Sequence, residues 1–313
     1  MKKAEIGFHV ILLILAASMT ACAPVTYLGI KVLYRKTEWP ASKTVRDVCY
    51  ESNTPCRSQA HTLDLYLPDG NHWPVIVFVH GGGWNEGDKQ LRVAGADVYA
   101  NIGRFYAAHG IGVGVINYRL QPEAKWREQI EDVKNAVAWV HSNIDHYGGN
   151  GDQIFLMGHS AGAYLASYVA FTLETDKGRS SIRGVIAASG AALDMADQKT
   201  YEMGENPAYY EKRFREGDPT DNWKVVASPI SHVTPQAPPF LILYAQGEKK
   251  TLQRQSLLLN SALEKKGVKS QVLAIPGESH SRMVLVLSHP RKAAAPAILN
   301  FIHTHSAGSP GNP

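Results

Sequence analysis

The chain has 313 residues, of which 44% are hydrophobic and 19% charged, with a formal net charge of +4. That length holds one large α/β domain or two small ones, with enough apolar residues for a sizeable core. No Lys/Arg run exceeds two residues, and so weak and dispersed a charge gives no argument for a nucleic-acid partner, so none is expected.

At the N-terminus, Lys2 and Lys3 precede an apolar stretch from Ile6 to Ala17 that is short for a bilayer span. Met19-Thr20-Ala21-Cys22 follows. Small residues ahead of a cysteine at the end of such a stretch resemble a bacterial lipobox. Residues 1–21 then read as a signal peptide, with Cys22 as the lipidated first residue of the mature chain and residues 22–44 as a tether. A plain secretory signal and an uncleaved anchor are the alternatives. Ala23 and Pro24 stand where an inner-membrane retention aspartate would be, which points to the periplasmic side of the outer membrane. The other cysteines, Cys49 and Cys56, are separated by a short loop with Asn, Pro and Ser. In an oxidising compartment this pair is expected to form a disulfide. Two free thiols or half of a metal site are the alternatives, and no second Cys/His pair follows to complete the latter.

From residue 62 a series of short apolar runs begins. Thr62–Leu67 alternates and reads as an antiparallel strand at the sheet edge. Val75–Val79, Ile111–Ile116, Ile154–Met157, Gly184–Ala188, Phe240–Ala245 and Val272–Ile275 are near-continuous apolar runs, expected as buried parallel strands. Helical segments near 95–109, 127–143, 161–173, 251–266 and 290–304 separate them. This alternation predicts an α/β fold, a mostly parallel sheet flanked by helices, over residues 45–305. Residues 195–235 interrupt the rhythm. They are polar and aromatic, with Tyr201, Tyr209, Tyr210, Phe214 and Trp223, and so long a connection predicts a helical cap. The tail 306–313 is rich in Gly, Pro and Ser and is expected to be disordered.

Gly158-His159-Ser160-Ala161-Gly162 follows an apolar run directly. A G-x-S-x-G turn from strand to helix strains the serine backbone, demands small residues two before and two after it, and exposes the hydroxyl. A serine hydroxyl is a poor nucleophile without a base, and the base needs an orienting acid. In the arrangement this motif builds, the acid and then the histidine follow the serine in chain order. His280 lies just after the last strand, on a Pro-Gly-Glu-Ser loop. His232, His289, His303 and His305 compete from less suitable positions. Glu248 is the one carboxylate directly after Phe240–Ala245, and Asp194 is its rival. Donors for a developing oxyanion are expected from the backbone N–H groups of Gly82 and Gly83, in His80-Gly81-Gly82-Gly83-Trp84, and of Ala161 at a helix N-terminus. His80 reads as a structural hydrogen bonder. No metal or other cofactor is expected.

His80-Gly81-Gly82-Gly83-Trp84, Gly87-Asp88-Lys89, Asn117-Tyr118-Arg119-Leu120 and the Ser160 motif together resemble the hormone-sensitive-lipase-like carboxylesterases of the α/β-hydrolase fold. The resemblance is to the branch that holds arylformamidases, bacterial acetyl and feruloyl esterases and isoprenylcysteine methylesterases. Tyr147-Gly148-Gly149 before Asp152-Gln153-Ile154 is similar as well, with Asn150 where that branch has aspartate. Gln253-Arg254-Gln255-Ser256 resembles the branch's stretch shortly after the acid, which favours Glu248. The branch usually has aspartate at the acid itself. The resemblance covers residues 45–300 and implies a serine carboxylesterase acting on short-chain or aryl esters through an acyl-enzyme, with Trp84 and the Tyr-rich cap lining the entrance. Its partners would be a small-molecule ester and, through Cys22, a membrane. A formamidase is the alternative within the same chemistry. A non-catalytic envelope lipoprotein is the alternative outside it. Oligomeric state has no signature in the sequence.

Overall fold

Near-continuous apolar runs form strands here because both faces of the sheet are covered. The computed structural model describes residues 33–51, 56, 58–173, 181–216 and 222–306. Within them lie β1 (Thr44–Cys49), β2 (Thr62–Tyr66), β3 (Trp73–Val79), β4 (Gly112–Ile116), β5 (Gly149–His159), β6 (Ile182–Ala188), β7 (Phe240–Ala245) and β8 (Ser270–Ile275). They join in one sheet in the order β1-β2-β4-β3-β5-β6-β7-β8. β2 runs against both its neighbours, and every other pairing is parallel. This is an α/β-hydrolase fold.

Strand period sorts the side chains into two cores. Val75, Val77 and Val79 of β3, with Ile154 and Leu156 of β5, share one core with α2 (Trp126–Asn143), α3 (Ala161–Thr172) and α7 (Lys250–Lys265). Ile76 and Phe78, with Phe155 and Met157, face the other, under α1 (Val98–Ala107), α8 (His280–Val286) and α9 (Ala294–His305). The β3 residues Val75 to Val79 are all 0% exposed. Each such aliphatic side chain contributes about 1.5–3 kcal/mol on burial, so the centre of the sheet is the most firmly held part of the molecule. Ile130, Val133, Val137 and Val140 of α2 pack on it at the spacing read from the sequence.

β2 is not the edge strand that its alternation suggested. All five of its residues are buried, and β1 takes the edge. β1 escapes pattern reading because its exposure is irregular, its register shifts between Val45 and Val48, and Asp47 has φ +53°. The described part of the expected tether lies on the domain. Leu33 is buried, Tyr34 Oη donates to the Asp97 carbonyl at 3.2 Å, and the Thr37 N–H donates to Asn101 Oδ1 at 2.7 Å. Cys49 and Cys56 are joined by a disulfide. The signal peptide, Cys22 and tail residues 307–313 lie outside the described residues. Among those described, no helix is long and apolar enough to cross a membrane.

The connection between β6 and β7 is helical. It carries α4 (Gln198–Glu202), α5 (Pro207–Phe214), α6 (Trp223–Val226) and a 3-10 turn at Pro229–His232. Asp197 and Asn206 cap the first two through their side chains, and Pro207 opens α5. The Gln253–Ser256 stretch fastens this cap to α7. Arg254 makes two 2.7 Å bonds to Asp197, and Gln255 Nε2 donates to the Asp194 carbonyl and to Thr200 Oγ1, each at 3.0 Å. The Arg254 guanidinium holds the Asp197 carboxyl down at about 2.

Candidate active site

Parallel strands end at a common edge, and every candidate residue follows one of those ends. Val79 is in register with Gly158, His159 with Ala188, and Ala245 with Ile275. Ser160 therefore emerges between the loops after β3, β6, β7 and β8, where open α/β sheets bind ligands.

Ser160 has φ +57° and ψ −120°. A serine stays in this sparsely populated conformation only where its surroundings over-determine it. Here β5 runs straight into α3, and the Ser160 N–H donates to the Ala188 carbonyl at 3.0 Å. A Cβ on Gly158 would lie 2.2 Å from the Gly162 carbonyl oxygen, and one on Gly162 would lie 2.1 Å from that of Val79. The glycines of the motif are thus required by close backbone approach.

The structure brings Ser160, His280 and Glu248 into one relay. Ser160 Oγ lies 3.0 Å from His280 Nε2, and Glu248 Oε2 lies 3.1 Å from His280 Nδ1. The Glu248 side chain is 0% exposed, whereas that of His280 is 31% exposed. Glu248 is therefore no solvated neighbour of Lys249 and Lys250, which face solvent. A carboxylate at Nδ1 fixes the tautomer that leaves Nε2 free to take a proton from serine. His280 stands at the first position of α8 rather than on a loop, with Ser279 as its N-cap. Asp194 is not part of the relay. Its carboxylate accepts from the Ala196 N–H at 3.0 Å, and burial pushes its pKa up. His232 Nε2 and His305 Nδ1 lie on the carbonyls of Val226 and Phe301.

The glycine run passes directly in front of the serine. A Cβ on Gly81 would meet the His159 carbonyl oxygen at 2.9 Å and Ser160 Cβ at 3.2 Å. Ala161 is the first residue of α3, so its N–H has no intrahelical acceptor. The N–H groups of Gly82 and Gly83 donate to no acceptor among the described residues. Trp84 departs from its expected place at the entrance. It is 1% exposed, edge-on to Tyr164 at 5.4 Å and to Phe214 at 5.0 Å. An indole of that size is worth more buried than at a wet mouth.

Two buried histidines shape the site. His80 Nδ1 lies 2.7 Å from the Gly81 carbonyl, and its ring stacks on Tyr118 at 4.4 Å. Burial brings its pKa down to about 4. His159 Nε2 lies 2.9 Å from the His280 carbonyl, and the two rings are 4.9 Å apart. Burial, with charge repulsion from the neighbouring imidazole as a smaller cause, lowers its pKa to about 3. The neutral ring donates to the backbone of the residue whose side chain faces Ser160. Farther below, Lys89 joins Asp64 and Asp47, and Asn117 Nδ2 donates to Asp88 at 3.0 Å. The Gly87-Asp88-Lys89 and Asn117-Tyr118-Arg119 motifs are thus a scaffold beneath the glycine loop.

With this geometry in place, likeness to known proteins has a physical meaning. Residues 63–263 match the BD-FAE family profile. The chain belongs to the BD-FAE family. The matched stretch contains the glycine loop, Ser160 and Glu248, while His280 lies beyond it. Among curated relatives, esterase LipQ of Mycobacterium tuberculosis is 30% identical over 252 residues, 77% of this chain and 58% of LipQ. Esterase LipC of the same organism is 29% identical over 247 residues, 75% of this chain and 60% of LipC. The chain thus spans somewhat over half the length of these relatives. In fold, esterase B of Lactobacillus rhamnosis superimposes with a TM-score of 0.69 at 23% identity, covering 95% of this chain and 94% of that one. A hyperthermophilic esterase of Pyrobaculum calidifontis does so at 0.67 and 22%, covering 91% and 92%.

Sequence reasoning did not single out Arg213, Gln129 or Gly247, which hold the loops of the site. None lies in a motif, and each acts through contacts with residues far away in the chain.

Proposed function

We propose that this protein is a serine carboxylesterase acting on short-chain or aryl esters. The observation that carries the reading is the relay itself, with Ser160 Oγ 3.0 Å from His280 Nε2 and His280 Nδ1 3.1 Å from the buried Glu248. Ser160 Oγ attacks the ester carbonyl as His280 Nε2 takes its proton. Glu248 stabilises the resulting imidazolium. The carbonyl oxygen becomes an oxyanion received by the N–H groups of Gly82, Gly83 and Ala161. The tetrahedral intermediate collapses, and the alcohol leaves with the proton from His280. Water, deprotonated by His280, then attacks the acyl-enzyme and releases the acid.

The names of LipQ and LipC as esterases, and of a probable isoprenylcysteine alpha-carbonyl methylesterase of Arabidopsis thaliana at 27% identity, support an ester bond over an amide. The test is turnover of p-nitrophenyl acetate, butyrate and octanoate beside N-formylkynurenine. Fastest turnover of the shorter esters is the expected result. Preference for the formamide would make the protein an amide hydrolase, and absence of any fluorophosphonate adduct on Ser160 would make it a binding protein. The Lys2-Lys3, apolar and Ala21-Cys22 sequence, together with the Cys49–Cys56 disulfide, supports export and acylation at Cys22. The mass of the mature N-terminal peptide tests that reading.

A further inference from the structure

The loop that supplies two of the oxyanion donors has positive φ at three consecutive residues, a strained conformation at Trp84. Gly82, Gly83 and Trp84 have φ of +121°, +57° and +67°. Such a run holds its shape only if its peptide groups are tied down, and each of the three carbonyls has a different tie. The Gly82 carbonyl accepts from the N–H groups of Asn85 at 3.2 Å and Glu86 at 3.0 Å, within the turn itself. The Trp84 carbonyl accepts from Gln129 Nε2 at 2.7 Å and from the Gln121 N–H at 2.9 Å, so it is tied to the body of the domain. The Gly83 carbonyl accepts from Arg213 Nε at 3.0 Å, and Arg213 belongs to α5 of the cap.

Arg213 is itself fixed. Its guanidinium lies 3.6 Å from the Tyr209 ring centroid, and its Nη1 donates to the Tyr209 carbonyl at 3.3 Å. Tyr209 in turn closes over the loop, because a Cβ on Gly83 would lie 2.6 Å from its hydroxyl. A trans peptide sets its N–H opposite its carbonyl. The ties on the Gly82 carbonyl therefore set the direction of the Gly83 N–H, and Arg213 fixes the peptide on its other side. Gly83 is clamped from within the turn on one side and from the cap on the other.

We propose that Arg213 is a positioning residue, through which the cap holds the Gly83 N–H in the direction that receives the oxyanion. Cap docking and turnover are then coupled, and a cap that lifts loosens the oxyanion site as well as opening the entrance. This inference rests on the carboxylesterase reading above.

The test compares wild type, Arg213→Ala and Arg213→Lys on p-nitrophenyl butyrate, and on inhibition by phenylboronic acid, which forms a tetrahedral adduct with an active serine. Hydrolysis by wild type that disappears in Ser160→Ala establishes the reading on which the inference depends, and is scored separately. Loss of one oxyanion donor costs about 10²–10³-fold in turnover, and a misdirected donor should cost part of that. Arg213→Ala is expected to lower kcat by about tenfold or more and to weaken boronate inhibition in parallel, with KM changed less than about threefold. Added guanidinium should restore part of the kcat of Arg213→Ala, and ammonium should not. Arg213→Lys keeps the charge and stem but lacks Nε–H, so it should resemble Arg213→Ala. Should Arg213→Ala fail to fold, Arg213→Lys is judged on the same parallel loss. Unchanged kcat in a folded variant, a loss confined to KM, or a loss of kcat without weaker boronate inhibition would overturn the inference.

Discussion

The Gly247 N–H donates to the Glu278 carbonyl at 2.8 Å, so the loop that carries Glu248 and the turn that leads into the His280 helix are tied one residue before the former and two before the latter. The Gln246 N–H adds a bond to the Ile275 carbonyl at 3.0 Å. The Glu278 side chain is buried and paired with Lys292 at 2.8 Å and Arg282 at 3.2 Å. Acid and base are thus held by one continuous piece of structure. A Cβ on Gly247 would lie 2.8 Å from the Glu278 carbonyl oxygen. Gly247→Ala should push the loops apart and lower kcat by up to about 10²-fold, the order of cost of a 1 Å misplacement. Steady-state kinetics with circular dichroism as a folding control checks this.

The acid assignment separates sharply from its rival. Glu248→Gln keeps the shape but removes the charge that fixes the His280 tautomer, and should lower kcat by about 10³–10⁴-fold. Asp194→Ala removes bonds to the backbone N–H groups of Ala196 and Asp197, none of them to the relay, and should leave kcat within about threefold. A larger loss for Asp194→Ala than for Glu248→Gln would reverse the assignment.

Two histidines buried as neutral rings make the protein sensitive to acid. His80 and His159 have folded pKa values lowered to about 4 and about 3 from an ordinary 6.5. Between those values and 6.5 the unfolded chain binds more protons than the folded one, so stability rises with pH through that window and is level above it. Each ring adds up to about 1.4 kcal/mol per pH unit there. Urea unfolding at pH 4.5, 5.5 and 7.5 should show this slope, and His159→Phe should lessen it by about one proton's worth. The same slope in both proteins would mean that His159 is protonated in the folded state.

Much of the site was legible because its chemistry is local. Gly158 and Gly162 are imposed by close backbone contacts, and chain order led to His280 and, with the resemblance at Gln253–Ser256, to Glu248 over Asp194. β7 has the bounds that its apolar run implied. What escaped was set by distant partners. β1 is a bulged edge strand whose pairing, rather than its pattern, makes it a strand. The helix that His280 opens begins where Pro, Gly and Ser suggested only a loop. Trp84 looked like a wall of the entrance because nothing in the sequence shows that Phe214, 130 positions away, covers it. Arg213 bears on Gly83 in the same long-range manner, and neither residue carries a sign of the other.

The most direct test of the Ser160–His280–Glu248 relay is the hydrolysis rate of p-nitrophenyl butyrate by folded Ser160→Ala beside wild type. Removing the nucleophile of such a relay lowers kcat by about 10⁶-fold, so no turnover above a blank is expected. Retention of wild-type turnover by Ser160→Ala would contradict it.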